Sequence, residues 1–276
     1  YHNDTPPLQH IIHDSRNIQS LTNNIIWNIF ADQEHNIWLG TDYGISLSRY
    51  NSALQFIPIS QITGTGDGNQ FYSLFRDSKG FYWFGGANGL IRFTDPAGER
   101  HDAIWYRMGD KTYPLSHNRI RHIYEDKEQQ LWIATDGSIN RYDYATRQFI
   151  HYNIVDNTGT YNTNWTYYIF EDTAGQLWIS TCLGGIFVVD KHKLMQSTSG
   201  QYIAEQNYSV HNGLSGMFIN QIIPDNEGNV WVLLYNNKGI DKINPRTREV
   251  TKLFADELTG EKSPNYLLCD EDGLLW

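Results

Sequence analysis

Five pairs of residues recur at one fixed offset in this chain, seven and five positions before an aspartate that itself recurs. They are Ile25 and Trp27, Gln70 and Tyr72, Arg119 and Arg121, Trp165 and Tyr167, and Phe218 and Asn220. Turns further along each unit add Asp42 and Tyr43, Asn88, Asp136, and Tyr235 with Asn236 and Asn237. Aromatic faces stack on the apolar sides of sugar rings, while Asn, Asp and Arg address hydroxyl or carboxylate groups. The candidate ligand-binding set is therefore Trp27, Tyr43, Tyr72, Asn88, Arg119, Arg121, Asp136, Trp165, Tyr167, Tyr235 and Asn236. It suits a carbohydrate and, through the two arginines, an acidic one. Ordinary packing on alternating strand positions would use the same aromatics, and a structural ion pair could hold either arginine.

Chemistry of other kinds finds no local support. The sequence has no HExxH, GxSxG, Gly-Lys-Ser/Thr loop or CxxC pair. The ten histidines are dispersed, and the closest pairs, His10 with His13 and His117 with His122, lack further ligands at metal-site spacing. No catalytic residue, metal or cofactor is expected.

The elements that must position the candidates form a repeat. DQEHNIW ends at Trp38, DSKGFYW at Trp83, DKEQQLW at Trp132, DTAGQLW at Trp178, DNEGNVW at Trp231 and DEDGLLW at Trp276. Each Trp follows an Asp by six residues: Asp32, Asp77, Asp126, Asp172, Asp225 and Asp270. Around that anchor each unit reads as four short β-branched and aromatic runs bounded by Gly, Asn and Asp, which are strand signals. No segment holds a helical period. Asp accepts hydrogen bonds from the amides that follow it, and Gly three residues later supplies the positive φ of a tight turn. His35 and Gln129 replace that Gly in two units, so those turns should be costlier or differently shaped. The Trp should wedge between neighbouring four-stranded units.

Four strands in about 46 residues match a β-propeller blade. The expected fold is all-β, with blades at about 22–60, 68–107, 116–153, 163–208 and 216–254 and a partial blade at 264–276. A lone strand is expected over Leu8–His13, and a loop insertion at residues 190–216, between the fourth and fifth units. No helix should exceed two turns. Cys182 ends a second strand and Cys269 a first strand, so the two should lie at opposite faces and remain unbonded.

Aromatics at 14% are ample for a core, and no apolar run approaches the length of a membrane span. The net charge of −10, with Lys and Arg scattered, leaves no basic face for nucleic acid.

The pattern I-x-x-I-x-x-D-x-x-G-x-[ILV]-W-[ILV]-[GAS]-T, followed by G-[LI]-x-R-[YF], resembles the two-component regulator propeller repeat. It is clearest in NIIWNIFADQEHNIWLGTDYGISLSRY and RIRHIYEDKEQQLWIATDGSINRYD, and the likeness runs from Leu8 to Trp276. The resemblance implies the periplasmic sensor of a hybrid two-component system, in which propellers precede a membrane helix, a histidine kinase and a DNA-binding output. It also implies an oligosaccharide ligand, attachment to the membrane only through other parts of the parent, and leaves a homodimer of the parent open. Seven blades would need roughly 320 residues, so the chain is expected to be a fragment of a seven-bladed propeller. Alone, it should be less stable than the full sensor. Two alternatives stay open: a lyase or glycosidase on a propeller scaffold, and a protein-interaction scaffold. The candidate residues should border one concave surface at the channel mouth, with Arg119 and Arg121 facing solvent.

Overall fold

The computed structural model describes residues 10–50, 56–58, 70–94, 103–112, 114–198, 200–235, 239–254 and 264–276. Five antiparallel sheets of four strands follow one another along the chain as propeller blades. The first comprises β1 (Ile26–Ala31), β2 (Ile37–Thr41), β3 (Gly44–Ser48) and β4 (Phe56–Pro58). The second holds β5 (Phe71–Arg76), β6 (Tyr82–Gly86), β7 (Gly89–Phe93) and β8 (Ile104–Tyr106). The third holds β9 (Ile120–Glu125), β10 (Leu131–Thr135), β11 (Ser138–Asp143) and β12 (Gln148–Tyr152), after which comes a short β13 (Ile154–Val155).

The fourth blade is β14 (Thr166–Glu171), β15 (Gln176–Thr181), β16 (Ile186–Asp190) and β18 (Gln206–Tyr208). Between its third and fourth strands lie a helix α1 (Lys191–Gln196) and β17 (Tyr202–Ile203). The fifth blade is β19 (Ile219–Pro224), β20 (Val230–Leu234), β21 (Ile240–Ile243) and β22 (Val250–Leu253). Beyond it, Leu268 and Trp276 exchange two backbone hydrogen bonds, of 3.0 and 2.7 Å, around the last Asp turn.

The six-residue interval from Asp to Trp proves to be a hydrogen bond. The Trp Nε1 donates to the Asp Oδ2 in all six units: 2.9 Å at Trp38, 2.7 at Trp83, 2.9 at Trp132, 2.9 at Trp178, 3.0 at Trp231 and 2.7 at Trp276. The other oxygen, Oδ1, accepts the amides two and four residues on, as at Glu34 (3.1 Å) and Asn36 (2.8 Å) for Asp32. One carboxylate thus fixes both the turn and the indole. At Asp32 and Asp225 burial opposes the charge, but these bonds outweigh it and hold the carboxyl below its ordinary value.

The indole then buries against the next blade. Trp38 packs on Phe71, Leu74 and Phe84, Trp83 on Ile120, Ile123 and Ile133, Trp132 on Ile169, Leu177 and Ile179, and Trp178 on Ile219, Ile222 and Val232. At about 25 cal/mol per Å2 each such burial is worth about 4–6 kcal/mol before ordering entropy. The expected wedge is therefore what joins the blades.

As expected, His35 and Gln129 take the left-handed φ, 62° and 61°, near the 79–87° of Gly80, Gly175, Gly228 and Gly273, so their turns keep the shape at a backbone cost. Other expectations need correction. The expected insertion lies inside the fourth blade, not after it. It is also structured, because Asp190 caps α1 by accepting from the amides of His192 and Lys193. β13 and β17 form a two-stranded parallel sheet, a pairing outside the four-stranded units. Of the strand expected at Leu8–His13, Leu8 and Gln9 lie outside the described residues, and His10 to His13 form no strand. The helix spans six residues, within the two turns expected. Cys182 and Cys269 are both free thiols, as expected.

Candidate functional site

The innermost strand of each blade carries a bulge at one repeat position. The register to the second strand slips between Ile26 and Asn28, Phe71 and Ser73, Thr166 and Tyr168, and Ile219 and Gln221. In the third blade it slips opposite Ala134 and Thr135, which pair with His122 and Ile120. The residue left out of the ladder is Trp27, Tyr72, Arg121, Tyr167 or Asn220, five before the Asp in every case. A bulge re-aims the side chain it releases. Two residues earlier, the carbonyls of Ile25, Gln70, Arg119, Trp165 and Phe218 accept the amides of Asp42, Ala87, Asp136, Cys182 and Tyr235 at 2.9–3.3 Å. The second-to-third-strand turns are thereby tied to the same end of the channel.

One network results. Trp27 Nε1 and Gln70 Nε2 both donate to Asp42 Oδ1, at 3.0 and 2.7 Å, and the Tyr72 hydroxyl donates to Gln70 Oε1. The Trp27 and Tyr72 rings meet edge to face at 5.5 Å. The Arg121 guanidinium lies over Tyr72 at 5.7 Å and over Tyr167 at 4.5 Å, while its Nε donates to Asp136 Oδ1 at 2.7 Å. Arg119 approaches the other oxygen of Asp136 at 3.8 Å. Burial raises the Tyr72 and Tyr167 hydroxyls above their ordinary values, with the arginines acting against that rise, so both phenols stay protonated. Burial works against the Arg121 charge as well, but the bond to Asp136 outweighs it.

The structure therefore brings together Trp27, Tyr72, Arg119, Arg121, Asp136 and Tyr167. Trp165 joins them through its amide, which donates to the Asp136 carbonyl at 3.0 Å and leaves the indole exposed. Tyr235 lies against Phe218, with ring centroids 6.4 Å apart, and within electrostatic reach of Tyr167. Tyr43 is exposed beside Asp42 and makes no ring contact with the others among the described residues. The backbone carbonyl of Asn88 accepts from Arg107 Nε at 3.2 Å, and among the described residues its side chain makes no hydrogen bond to the others. Asn236 lies outside the described residues.

The expectation of two solvent-facing arginines is corrected for one of them. The Arg119 side chain is 45% exposed, but that of Arg121 is only 19% exposed, clasped by Asp136 and two phenol rings. Spacing alone puts Asp42 and Gln70 at the mouth without giving a reason to prefer them. The structure makes Asp42 the acceptor shared by two blades. Cys182, which the repeat offset does not single out, also lies here, and burial pushes its thiol up, so it stays neutral.

Comparison with known proteins fits this geometry. The family profile described as two component regulator propeller matches residues 20–43, 65–88 and 114–137. Two crystal structures of the extracellular domain of BT4673 from B. thetaiotaomicron are 99% identical to the chain and cover 100% of it, with a TM-score of 0.78. One is described as a one-component system and the other as a hybrid two-component system, and the chain spans 37% of the length of each. The extracellular domain of a second B. thetaiotaomicron hybrid two-component system, BT3049, is 20% identical over 94% of this chain and 32% of its own, with a TM-score of 0.71. Virginiamycin B lyase from Staphylococcus aureus is 16% identical over 86% of this chain and 72% of its own, with a TM-score of 0.60. At such identity these last two likenesses show the fold alone. No curated protein sequence matches the chain.

Proposed function

We propose that this chain, which is a run of two-component regulator propeller repeats, is the ligand-sensing part of its parent protein. In this reading the channel mouth recognises a neutral oligosaccharide. The chain lies outside the cytoplasm, as the near-identical extracellular domains do. It is not itself an enzyme, and the lyase likeness carries no activity over. Periplasmic placement, a histidine kinase that receives the signal and a dimeric parent belong to the proposal.

The observation that carries the reading is the continuous aromatic and cationic surface Trp27–Tyr72–Arg121–Tyr167, released from the ladder by bulges on the first four blades in succession. Two aromatic rings, a guanidinium and a phenol in sequence offer stacking surface and hydroxyl partners side by side. Two arginines, Arg119 and Arg121, face two carboxylates, Asp42 and Asp136, so the mouth is balanced in charge. That balance favours a neutral sugar over the acidic one first expected from the arginines alone. Asp42 is engaged by Trp27 and Gln70, and Asp136 by Arg121. Calorimetry of the protein against neutral and acidic oligosaccharides, followed by chromatography for cleavage products, separates the alternatives. A neutral glycan bound and recovered intact supports a sensor; cleavage would make it an enzyme, and no binding at all would favour an interaction scaffold.

A further inference from the structure

Away from the channel, the segments that depart most from the repeat converge on the rim of the fourth and fifth blades. β13 runs beside β17, tied by the amides of Tyr202 to Asn153 O (2.8 Å) and of Ala204 to Val155 O (2.9 Å). The loop after β18 is closed by a capping box between Ser209 and Asn212, and Tyr161 reaches it with its hydroxyl 3.3 Å from His211 Nε2. The turn between β21 and β22 brings in Arg248. Between them lies an open cavity of about 580 Å3, within the roughly 300–1,000 Å3 usual for small-molecule sites. Insertions in a repeat array often carry its binding surface.

The polar groups in the wall differ in what they have left to offer. Asp156 is saturated by the Tyr161 amide at 2.7 Å and the Thr158 hydroxyl at 2.5 Å. Glu205 accepts the Tyr202 hydroxyl at 2.7 Å and the Asp190 amide at 2.9 Å. Asn207 commits its Nδ2 to the carbonyls of Gly184 and Ile186, at 2.9 and 3.3 Å, which leaves Oδ1 as an acceptor. The guanidinium of Arg248 makes no hydrogen bond or ion pair among the described residues.

We propose that this cavity is a second carbohydrate site, separate from the channel mouth, which takes a neutral oligosaccharide. Arg248 donates its fork to neighbouring hydroxyls, Asn207 Oδ1 accepts from another, and Tyr161 supplies the stacking face. Asp156 stands against Arg248, while Glu205 is paired with Lys193 Nζ at 3.6 Å, so the wall is balanced in charge and offers no excess cation to an acidic sugar.

The test is an array of neutral and acidic oligosaccharides probed with the whole extracellular domain that the near-identical structures represent. It is repeated with Arg248→Asn and with Trp27→Ala. Arg248 sits at φ 63°, a conformation Asn tolerates, so the turn survives the change. The proposal expects at least one neutral glycan whose affinity falls about tenfold or more in Arg248→Asn and is unchanged in Trp27→Ala. It is overturned if no glycan depends on Arg248, or if only acidic glycans do. Because Trp27→Ala reads the mouth separately, failure at one site is distinguishable from failure at the other.

Discussion

At the scale of single residues, the recurring aspartate does more than its sequence context advertises. Asp126 accepts the amides of Glu128 and Gln130, each at 2.9 Å, the indole of Trp132 at 2.9 Å, and an ion pair from Lys191 Nζ at 3.2 Å. Lys191 is buried and also meets Glu171 at 2.8 Å, so this carboxylate helps neutralise a cation sealed between the third and fourth blades. Asp126→Ala should therefore cost about 3–5 kcal/mol, the range for breaking a buried pair, measured by urea unfolding with the exposed Lys111→Ala as a surface control. A loss under 1 kcal/mol would mean the bond network is dispensable. Conversely, Gln129→Gly should stabilise by about 1 kcal/mol, because the turn keeps the left-handed backbone that Gly adopts freely. The turn role of the Asp was legible from the sequence. The bond to Trp six residues on was not, because spacing reveals a partner only once the hairpin geometry that folds one residue back on the other is known.

At the scale of elements, the bulged inner strands both shape the mouth and stitch the blades. Four residues before the Asp, a side chain accepts the next blade's amide: Ser73 from Ile123 at 3.0 Å, His122 from Ile169 at 3.3 Å, and Gln221 from Leu267 at 2.7 Å. His122 also stacks on Tyr168 at 3.7 Å, and burial pushes its pKa down to about 3 from 6.5. The folded ring is thus neutral, while the unfolded chain takes up a proton as pH falls below 6.5. Stability is then lost progressively from that point down toward pH 3, by up to about 1.4 kcal/mol per pH unit. His122→Gln, the residue the fifth blade uses at this position, should keep the amide bond and flatten the acid loss in pH-dependent unfolding. An unchanged slope would clear His122 of the effect. Strand number and order could be read from the alternating apolar runs, but the bulges could not, since a one-residue slip leaves the composition of a strand untouched. The parallel pairing of β13 with β17 was illegible for a similar reason: two-residue strands carry no period.

At the scale of the molecule, a repeat that is regular in its anchors is irregular at the bulge position of its inner strands. Every blade shares the Asp–Trp bond, whereas the bulge position reads Trp27, Tyr72, Arg121, Tyr167 and Asn220 in turn. A ligand without rotational symmetry can be specified only by such differences. Departure from the repeat picked out most of the residues that the structure gathers around Asp42 and Asp136. The spacing did not show that Asp136 would clasp Arg121 and leave Arg119 as the more open group. Arg121→Ala would strand a carboxylate and disturb folding, so Arg119 and Trp27 are the residues that report binding cleanly. The decisive measurement is a calorimetric titration of a bound neutral oligosaccharide against wild type, Trp27→Ala and Arg119→Ala, with circular dichroism as the folding control. The account predicts that each substitution weakens binding by about 1.5–3 kcal/mol with the fold intact. Unchanged affinity in both variants would contradict it and place the recognition of that sugar away from the channel mouth.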